Sequence, residues 1–351
     1  MKTLEDPFLG IPIDLVMDIL FRVPARTIAS CRSVSKQWRS IIGRRDFKEL
    51  FLTIPQNTAR KSTLVLTRYH ANHYSLREFS ASFGSPLGGF ICRQDTGRHV
   101  GIVICNPATG ESLSLPQVES ESINTWVSPV LGYDPIDKQF KVLCIQHDSV
   151  PSRPEDHQIM TLENGKHLWR TVQGKPHYPR SNEICIDGVL YYTAVVELGL
   201  KVSMIVCFDV RFENFSFISI NDDDEATVLT SRCQLINYKG KLGALQFKET
   251  LPARLELCVL EDAGKRKWSM VIYTLPRLLG GDATELDIVG MTSRGEVVLS
   301  SQCLDDSFPF YLYYYNLESN RFTSFRIQGL EGFTCRIAST FLGYVENLKL
   351  M

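Results

Sequence analysis

This 351-residue sequence lacks an excess of charge of either sign, with Lys+Arg 38 against Asp+Glu 39 and a net charge of −1. No global field draws the chain toward nucleic acid or an anionic membrane. No run approaches the ~18 consecutive apolar residues that a membrane span requires. The opening stretch, Met1 to Pro7, carries Glu5 and Asp6 where a secretory leader needs bases and then an apolar block. An intracellular location, nucleus and/or cytoplasm, is therefore expected, with neither nucleic acid nor membrane as a partner. Zinc-type Cys-x-x-Cys spacing is also missing, since the closest of the ten cysteines, Cys92 and Cys105, stand 13 apart. Most cysteines sit inside apolar runs such as Val142–Ile145 and are expected as reduced core thiols.

Catalytic signatures are equally scarce. All seven histidines precede residue 178, so the chain from there on offers no imidazole for acid–base or metal chemistry. Gly165-Lys166, Gly240-Lys241 and Gly264-Lys265 all lack the earlier glycine of a phosphate loop, and no Gly-x-Ser-x-Gly elbow occurs. Ser33-Val34-Ser35-Lys36 fits a serine–lysine pattern only formally, because it falls at a helix junction without supporting motifs. His70 and His73 flank a loop-like Ala71-Asn72. Asp222 to Glu225 lacks the spaced oxygens and glycine of a calcium loop. Arg44-Arg45 and Lys265-Arg266-Lys267 read as a helix end and a hairpin tip. No catalytic residue, cofactor or metal site is expected.

What is present has two textures. Residues 11–51 are helical in pattern. Pro12 suits a first turn and Asp14 favours the positive dipole end. Leu15, Ile19 and Val23, with Val16 and Leu20, then recur at three- and four-residue spacing. Pro24 stops this helix and opens a second, Ala25 to Arg32, in which Ile28 and Cys31 share a face. Ser35 can cap a third helix, from Lys36 to about Phe51, with Trp38, Ile41, Ile42, Phe47, Leu50 and Phe51 apolar. A module this small makes a poor independent core. Its stripes must be finished either by the rest of the chain, as a helical cap, or by another protein, as a docking module.

The run Ile11 to Pro24, followed by Cys31-Arg32-Ser33-Val34-Ser35-Lys36-Gln37-Trp38, resembles the plant F-box. The shared features are an Ile-Pro start, an Asp-Leu pair, an acidic-Ile-Leu triplet and an Arg-x-hydrophobic-Pro end. Asp18 stands where the family usually has Glu, Val23 where it has Leu, and Ser30 where it often has a base. The resemblance implies a face that binds a Skp-type adaptor. The residues assigned to it are Ile11, Pro12, Leu15, Ile19, Leu20, Val23, Pro24, Ile28, Val34, Trp38 and Ile41.

From about residue 62 the pattern becomes strand-like. Short β-branched and aromatic runs are divided by Gly, Pro, Asn and Asp. Four segments repeat one layout, an acid or amide followed six residues later by an aromatic: Glu163 to Trp169, Asp209 to Phe215, Asp262 to Trp268 and Asn316 to Phe322. A fifth copy begins at Asn106 without the aromatic, and the mean step is about 52 residues. Gly-led strands at Gly89, Gly188, Gly240 and Gly295 run in phase. A β-repeat of this length predicts a six-bladed, kelch-like β-propeller. The sixth blade depends on Ile337–Leu342 completing a sheet begun by Leu64–Thr67. In this reading glycine opens the crowded inner strand, the acid or amide caps an outer hairpin turn, and the aromatic packs between blades. A large β-sandwich with accidental spacing is the alternative.

Residues 88–330 also resemble the plant F-box-associated domain. The shared motifs include Asn106-Pro107-Ala108-Thr109-Gly110, Gly132-Tyr133-Asp134-Pro135, Cys185 to Tyr192, Cys207 to Arg211 and Gly295 to Ser300. The expected organisation is a tail at 1–10, a three-helix all-α F-box at 11–52, a linker at 53–62, an all-β domain at 63–346 and a tail at 347–351. The two resemblances together imply a non-catalytic substrate receptor of an SCF-type ubiquitin ligase. It would be joined through the Skp-type adaptor to cullin and RING subunits, with an unidentified target protein on the β domain. A propeller hydrolase or oxidase with a helical cap, and an F-box scaffold outside any ligase, are the alternatives.

Overall fold

The computed structural model of the chain describes residues 11–44, 46–47, 51, 63–69, 87–88, 90–95, 101–107, 109–118, 125–148, 156–162, 168–180, 183–196, 204–220, 229–230, 233–248, 254–264, 267–275, 286–292, 294–301, 310–328 and 337–344. The expected tails at 1–10 and 347–351 and the whole of the linker at 53–62 lie outside these residues. So do His70, His73 and Asp222–Glu225.

Three short helices open the fold: α1 (Ile13–Leu20), α2 (Ala25–Cys31) and α3 (Lys36–Gly43). Pro12 and Pro24 sit just before α1 and α2 in extended backbone, and their carbonyls accept the first helical amides, from Leu15 and Val16 and from Thr27 and Ile28. Ser35 caps α3 as expected, its Oγ accepting from the Trp38 amide at 3.2 Å. The third helix stops earlier than its apolar pattern suggested. Arg44 turns to extended backbone (ψ 141°), and its guanidinium forks onto the Asp46 carboxylate at 3.0 and 2.6 Å. Phe47 and Phe51 nevertheless reach the module's core, where they join Val16, Met17, Leu20, Ile28, Ile41 and Ile42. Phe21 stacks on Phe47 at 5.0 Å.

The remainder is a β-propeller of antiparallel sheets. The first blade holds β2 (Ile91–Asp95), β3 (Gly101–Asn106) and β4 (Glu111–Ser114). The second holds β5 (Thr125–Asp134), β6 (Gln139–Asp148), β7 (Asp156–Thr161) and β8 (Arg170–Gln173). The third holds β9 (Tyr178–Pro179), β10 (Ile184–Ile186), β11 (Val189–Val195), β12 (Met204–Asp209) and β13 (Asn214–Ser219). In the fourth are β14 (Gln234–Tyr238), β15 (Lys241–Lys248), β16 (Arg254–Asp262) and β17 (Lys267–Thr274). The fifth is β18 (Leu286–Met291), β19 (Glu296–Ser301), β20 (Tyr311–Asn316) and β21 (Arg321–Arg326).

Five blades are therefore present among the described residues, where the repeat predicted six. The early strand β1 (Thr63–Tyr69) does pair with the last strand β22 (Ile337–Tyr344), in a register running from Thr63 opposite Tyr344 to Tyr69 opposite Ile337. The result is a two-stranded ribbon beside the fifth blade, not a further full blade.

The repeat motif has a clear local cause. Asp209 Oδ1 accepts the Arg211 and Phe212 amides at 2.9 Å each, and Asn316 Oδ1 accepts those of Glu318 and Ser319 at 3.1 and 2.9 Å. These side chains substitute for backbone acceptors in the hairpin turns β12–β13 and β20–β21. The aromatic that follows packs across to the preceding blade. Phe215 of the third blade lies 5.2 Å from His157 of the second, and the Trp169 indole of the second donates to the Pro116 carbonyl after the first at 2.9 Å. Trp268 and Phe322 join the clusters between blades three and four and between four and five. The described in-phase glycines, Gly188, Gly240 and Gly295, all stand at positive φ in hairpin turns, and Gly188 is crowded by Pro135 as well. Gly188, at φ +84°, follows Asp187 at +48° in the turn before β11, so both turn residues occupy the left-handed region that suits a tight hairpin. Residues Glu163–His167 and Lys265–Arg266 of the motif lie outside the described residues.

An ionic tie adds to the packing between the second and third blades. Lys141 Nζ donates to Glu213 Oε1 at 2.7 Å, while Arg170 forks onto both oxygens of the same carboxylate at 2.7 and 2.8 Å. Burial pushes the Glu213 carboxyl up, but these donors more than offset it and hold it below the usual carboxylate range.

Candidate docking face on the helical module

Helix α1 is apolar nearly all round. Only Asp14 and Asp18 interrupt Ile13, Leu15, Val16, Met17, Ile19 and Leu20. Such a helix cannot hide every side within a three-helix module. Val16, Met17 and Leu20 face inward and are buried. The face turned 100° away stays open, with Leu15 54% and Ile19 48% exposed. Val34, in the turn between α2 and α3, is 71% exposed. Two carboxylates, Asp14 and Asp18, lie exposed beside the apolar pair.

The eleven residues assigned from sequence separate into three groups. Pro12, Leu15, Ile19, Pro24 and Val34 are exposed. Ile11, Val23 and Trp38 are half-buried and lean on the module's core. Leu20, Ile28 and Ile41 are inside that core, at 2%, 0% and 8% exposure, and they shape the face from beneath. The core that covers Leu20 belongs to the helical module itself, and every member of it lies between Val16 and Phe51. The blades do not seal the open face.

Two residues beyond that assignment belong to this region. Ile13, 39% exposed, lines a shallow cleft of about 190 Å³ with Ile11, Val16, Gln37, Trp38, Ser40 and Ile41. Its place in the Ile13–Val16–Leu20 stripe is the sequence signal that would have found it. Arg32 donates to Glu111 of the first blade at 3.2 Å, tying the helices to the β domain. That partner is 79 positions away, and nothing local in the sequence marks it.

Elsewhere, buried polar chemistry is structural in character. His157 and His177 lie 5.0 Å apart between the second and third blades. His177 Nδ1 is 2.7 Å from the Lys175 carbonyl and Nε2 is 2.7 Å from the Tyr192 hydroxyl. The carbonyl can only accept, so Nδ1 carries the proton and Nε2 accepts from Tyr192. Burial lowers the His177 pKa, against a smaller upward pull from that carbonyl. The cysteine thiols at 92, 144, 207, 233 and 258 are free and buried, and burial raises them, to about 11 at Cys207 and Cys258 and about 12 at Cys233. They remain protonated and unreactive at neutral pH. Among the described residues no group of three or more His, Cys, Asp or Glu is placed to hold a metal ion.

Comparison with known proteins finds two family matches along the chain. Residues 8–50 match the F-box domain, and residues 40–345 match the F-box associated beta propeller domain. F-box protein At1g53790 of Arabidopsis thaliana is 52% identical over 373 residues, spanning 98% of this chain and 82% of that protein. F-box protein At5g65850 of the same plant is 38% identical, over 97% of this chain and 90% of its own length. F-box protein DOR, also from Arabidopsis thaliana, is 37% identical, over 99% and 95%. With an F-box at its front and a matching β-propeller over most of its length, the chain belongs to the F-box proteins of the F-box associated beta propeller family.

Proposed function

We propose that this protein is the substrate-recognition subunit of an SCF-type E3 ubiquitin ligase. In this reading the F-box binds a Skp-type adaptor and through it cullin and RING subunits, and the propeller holds a protein target. The observation that carries the reading is the open apolar face of α1 and the α2–α3 turn, where Leu15, Ile19 and Val34 remain 54%, 48% and 71% exposed. Apolar side chains grouped on one side of a small module mark an interaction surface. The area still needed is that of a second polypeptide, and an interface of standard size covers ~800 Å² per partner. The repeated capped turn and inter-blade aromatic support treating the blades as kelch-like.

No residue of this chain enters the chemistry in this reading. The target lysine is held near the ubiquitin thioester on another subunit, and proximity raises its effective concentration. The ligase machinery places the protein in the nucleus or cytoplasm, which imaging of a fluorescent fusion checks. Reconstitution tests the main claim. The full chain, mixed with a Skp-type adaptor, cullin and RING subunit, should co-elute as one complex. That complex should transfer ubiquitin to proteins captured on an F-box-deleted chain. Failure to co-elute rejects the adaptor assignment, and a complex that never transfers ubiquitin makes the protein a scaffold.

A further inference from the structure

The first copy of the turn repeat departs from the others, and it departs where the blades meet the helices. Six residues after the acid or amide, the other copies carry Trp169, Phe215, Trp268 or Phe322. The first copy carries Ser112 there, with Glu111 just before it. Serine cannot pack back as the aromatics do. Instead Glu111, the first residue of β4, meets Arg32 of the helical module, whose Nη1 donates to Oε1 at 3.2 Å. Both sides of the pair are held by their neighbours. Thr109 Oγ1 donates to Glu111 Oε2 at 3.2 Å and accepts the Glu111 amide at 3.3 Å. The Thr109 amide donates to Asn106 Oδ1 at 3.4 Å, and Asn106 is 1% exposed. Each carboxylate oxygen therefore has its own donor.

Arg32 closes the C-terminal end of α2, where a cation suits the dipole, and its carbonyl accepts from Arg39 Nε of α3 at 3.4 Å. The Arg32 side chain is 21% exposed and that of Glu111 37%. An isolated surface pair is weak because two long side chains must be ordered to make it. Here the neighbours already do most of that ordering. The pair also lies where little apolar packing sets an angle. Among the described residues, the module's core and the side chains packed against it all fall between Ile11 and Phe51, and no blade side chain joins them. Two units without a large shared apolar interface move relative to one another by default. Val34 stands two residues after Arg32 in the same turn. A contact at Arg32 therefore fixes the docking face itself, not a remote part of the module.

We propose that the Arg32–Glu111 pair is a positioning contact that sets the angle between the docking face and the propeller. In the ligase reading, on which this consequence rests, that angle decides where a bound target stands relative to the ubiquitin thioester. The angle itself is open to test without that reading.

Single-molecule energy transfer on the full chain gives the test. Click-reactive p-azidophenylalanine at Lys36 of α3 and at Phe212 of the β12–β13 turn, both exposed, takes the two dyes and leaves the native cysteines untouched. The wild-type chain should give one narrow transfer peak. Glu111→Arg, which sets two guanidiniums against each other, should broaden that peak at least about twofold. Arg32→Glu combined with Glu111→Arg rebuilds the pair in reverse and should restore the narrow peak. Thermal melting of each variant shows that both units remain folded. A broad peak in the wild type, a narrow one in Glu111→Arg, or a double variant that stays broad would each overturn the proposal. Calorimetry with the adaptor should give Glu111→Arg the wild-type affinity, because Glu111 lies outside the docking face, and a loss there would overturn the positioning role too. In the reconstituted ligase, Glu111→Arg should lose at least about threefold in transfer to each preferred target lysine. Unchanged transfer beside a broadened peak would overturn the consequence for the target. A wild-type chain that never binds the adaptor would reject the ligase reading and leave the peak widths to decide the angle.

Discussion

Replacing Leu15 by Asp separates a docking surface from a structural core, because the neighbouring stripe supplies the control. Leu15 is 54% exposed. Complete burial of a leucine is worth about 1.5–3 kcal/mol, so covering what remains open contributes roughly 1–1.5 kcal/mol to adaptor binding. An aspartate without a partner in an apolar contact costs about 1–3 kcal/mol more. Leu15→Asp should therefore weaken the complex by roughly 2–4 kcal/mol, a factor of about 30 to 1,000. Folding should hardly notice, since exposed positions without special contacts change stability by only about 0.5 kcal/mol. Leu20→Ala is the opposite case. Leu20 is 2% exposed in the module's core, and emptying its site should cost about 2–5 kcal/mol of module stability. Titration calorimetry with purified adaptor and thermal melting of each variant give both axes. Unchanged adaptor affinity in Leu15→Asp would refute the exposed face as the docking surface. Equal loss of stability in both variants would refute the division of α1 into an inner and an outer stripe.

Three further outcomes test the propeller. Glu213→Gln leaves Lys141, whose side chain is 8% exposed, with a weaker partner and should destabilise the β domain by about 3 kcal/mol in urea unfolding. His177, held neutral by burial, binds its proton in the unfolded chain near pH 6.5 but not in the folded one. Its contribution is therefore complete above pH 6.5 and shrinks as pH falls through the lowered folded pKa, so His177→Gln should flatten the melting-temperature profile below about pH 6.5. Gly188→Ala puts a methyl on a φ of +84°, with its Cβ 2.9 Å from Pro135 Cδ, and should lower stability by about 1–3 kcal/mol in thermal unfolding.

What could be read from sequence was whatever is local. Ser35 and Trp38 are three positions apart, and so are Asp209 and Phe212; a cap of that reach is written in adjacent letters. The inter-blade aromatics were legible for the same reason, since each keeps a fixed distance from its turn. The blade number was not, because it depends on how many strands gather around the ends of the chain. The β1–β22 pairing was expected, but two strands do not make a further blade. Periodicity also failed to sort Leu15 and Ile19 from Val16 and Leu20. Both sets recur at helical spacing, and only the packing of α2 and α3 decides which is covered. The early end of α3 escaped notice because Phe47 and Phe51 suit a helix as well as they suit the bend set by Arg44 and Asp46. The His157–His177 contact joins side chains twenty positions apart on separate blades, and no short motif signals it.

The clasp between β1 and β22 sets an order on biosynthesis. Blades can assemble one after another as the nascent chain emerges, but β1 must wait until residue 344 has cleared the ribosome. During translation it is an unpaired edge of seven residues, Thr63–Tyr69, in need of chaperone cover. A premature stop anywhere before Ile337 would make that exposure permanent and send the product to aggregation or degradation.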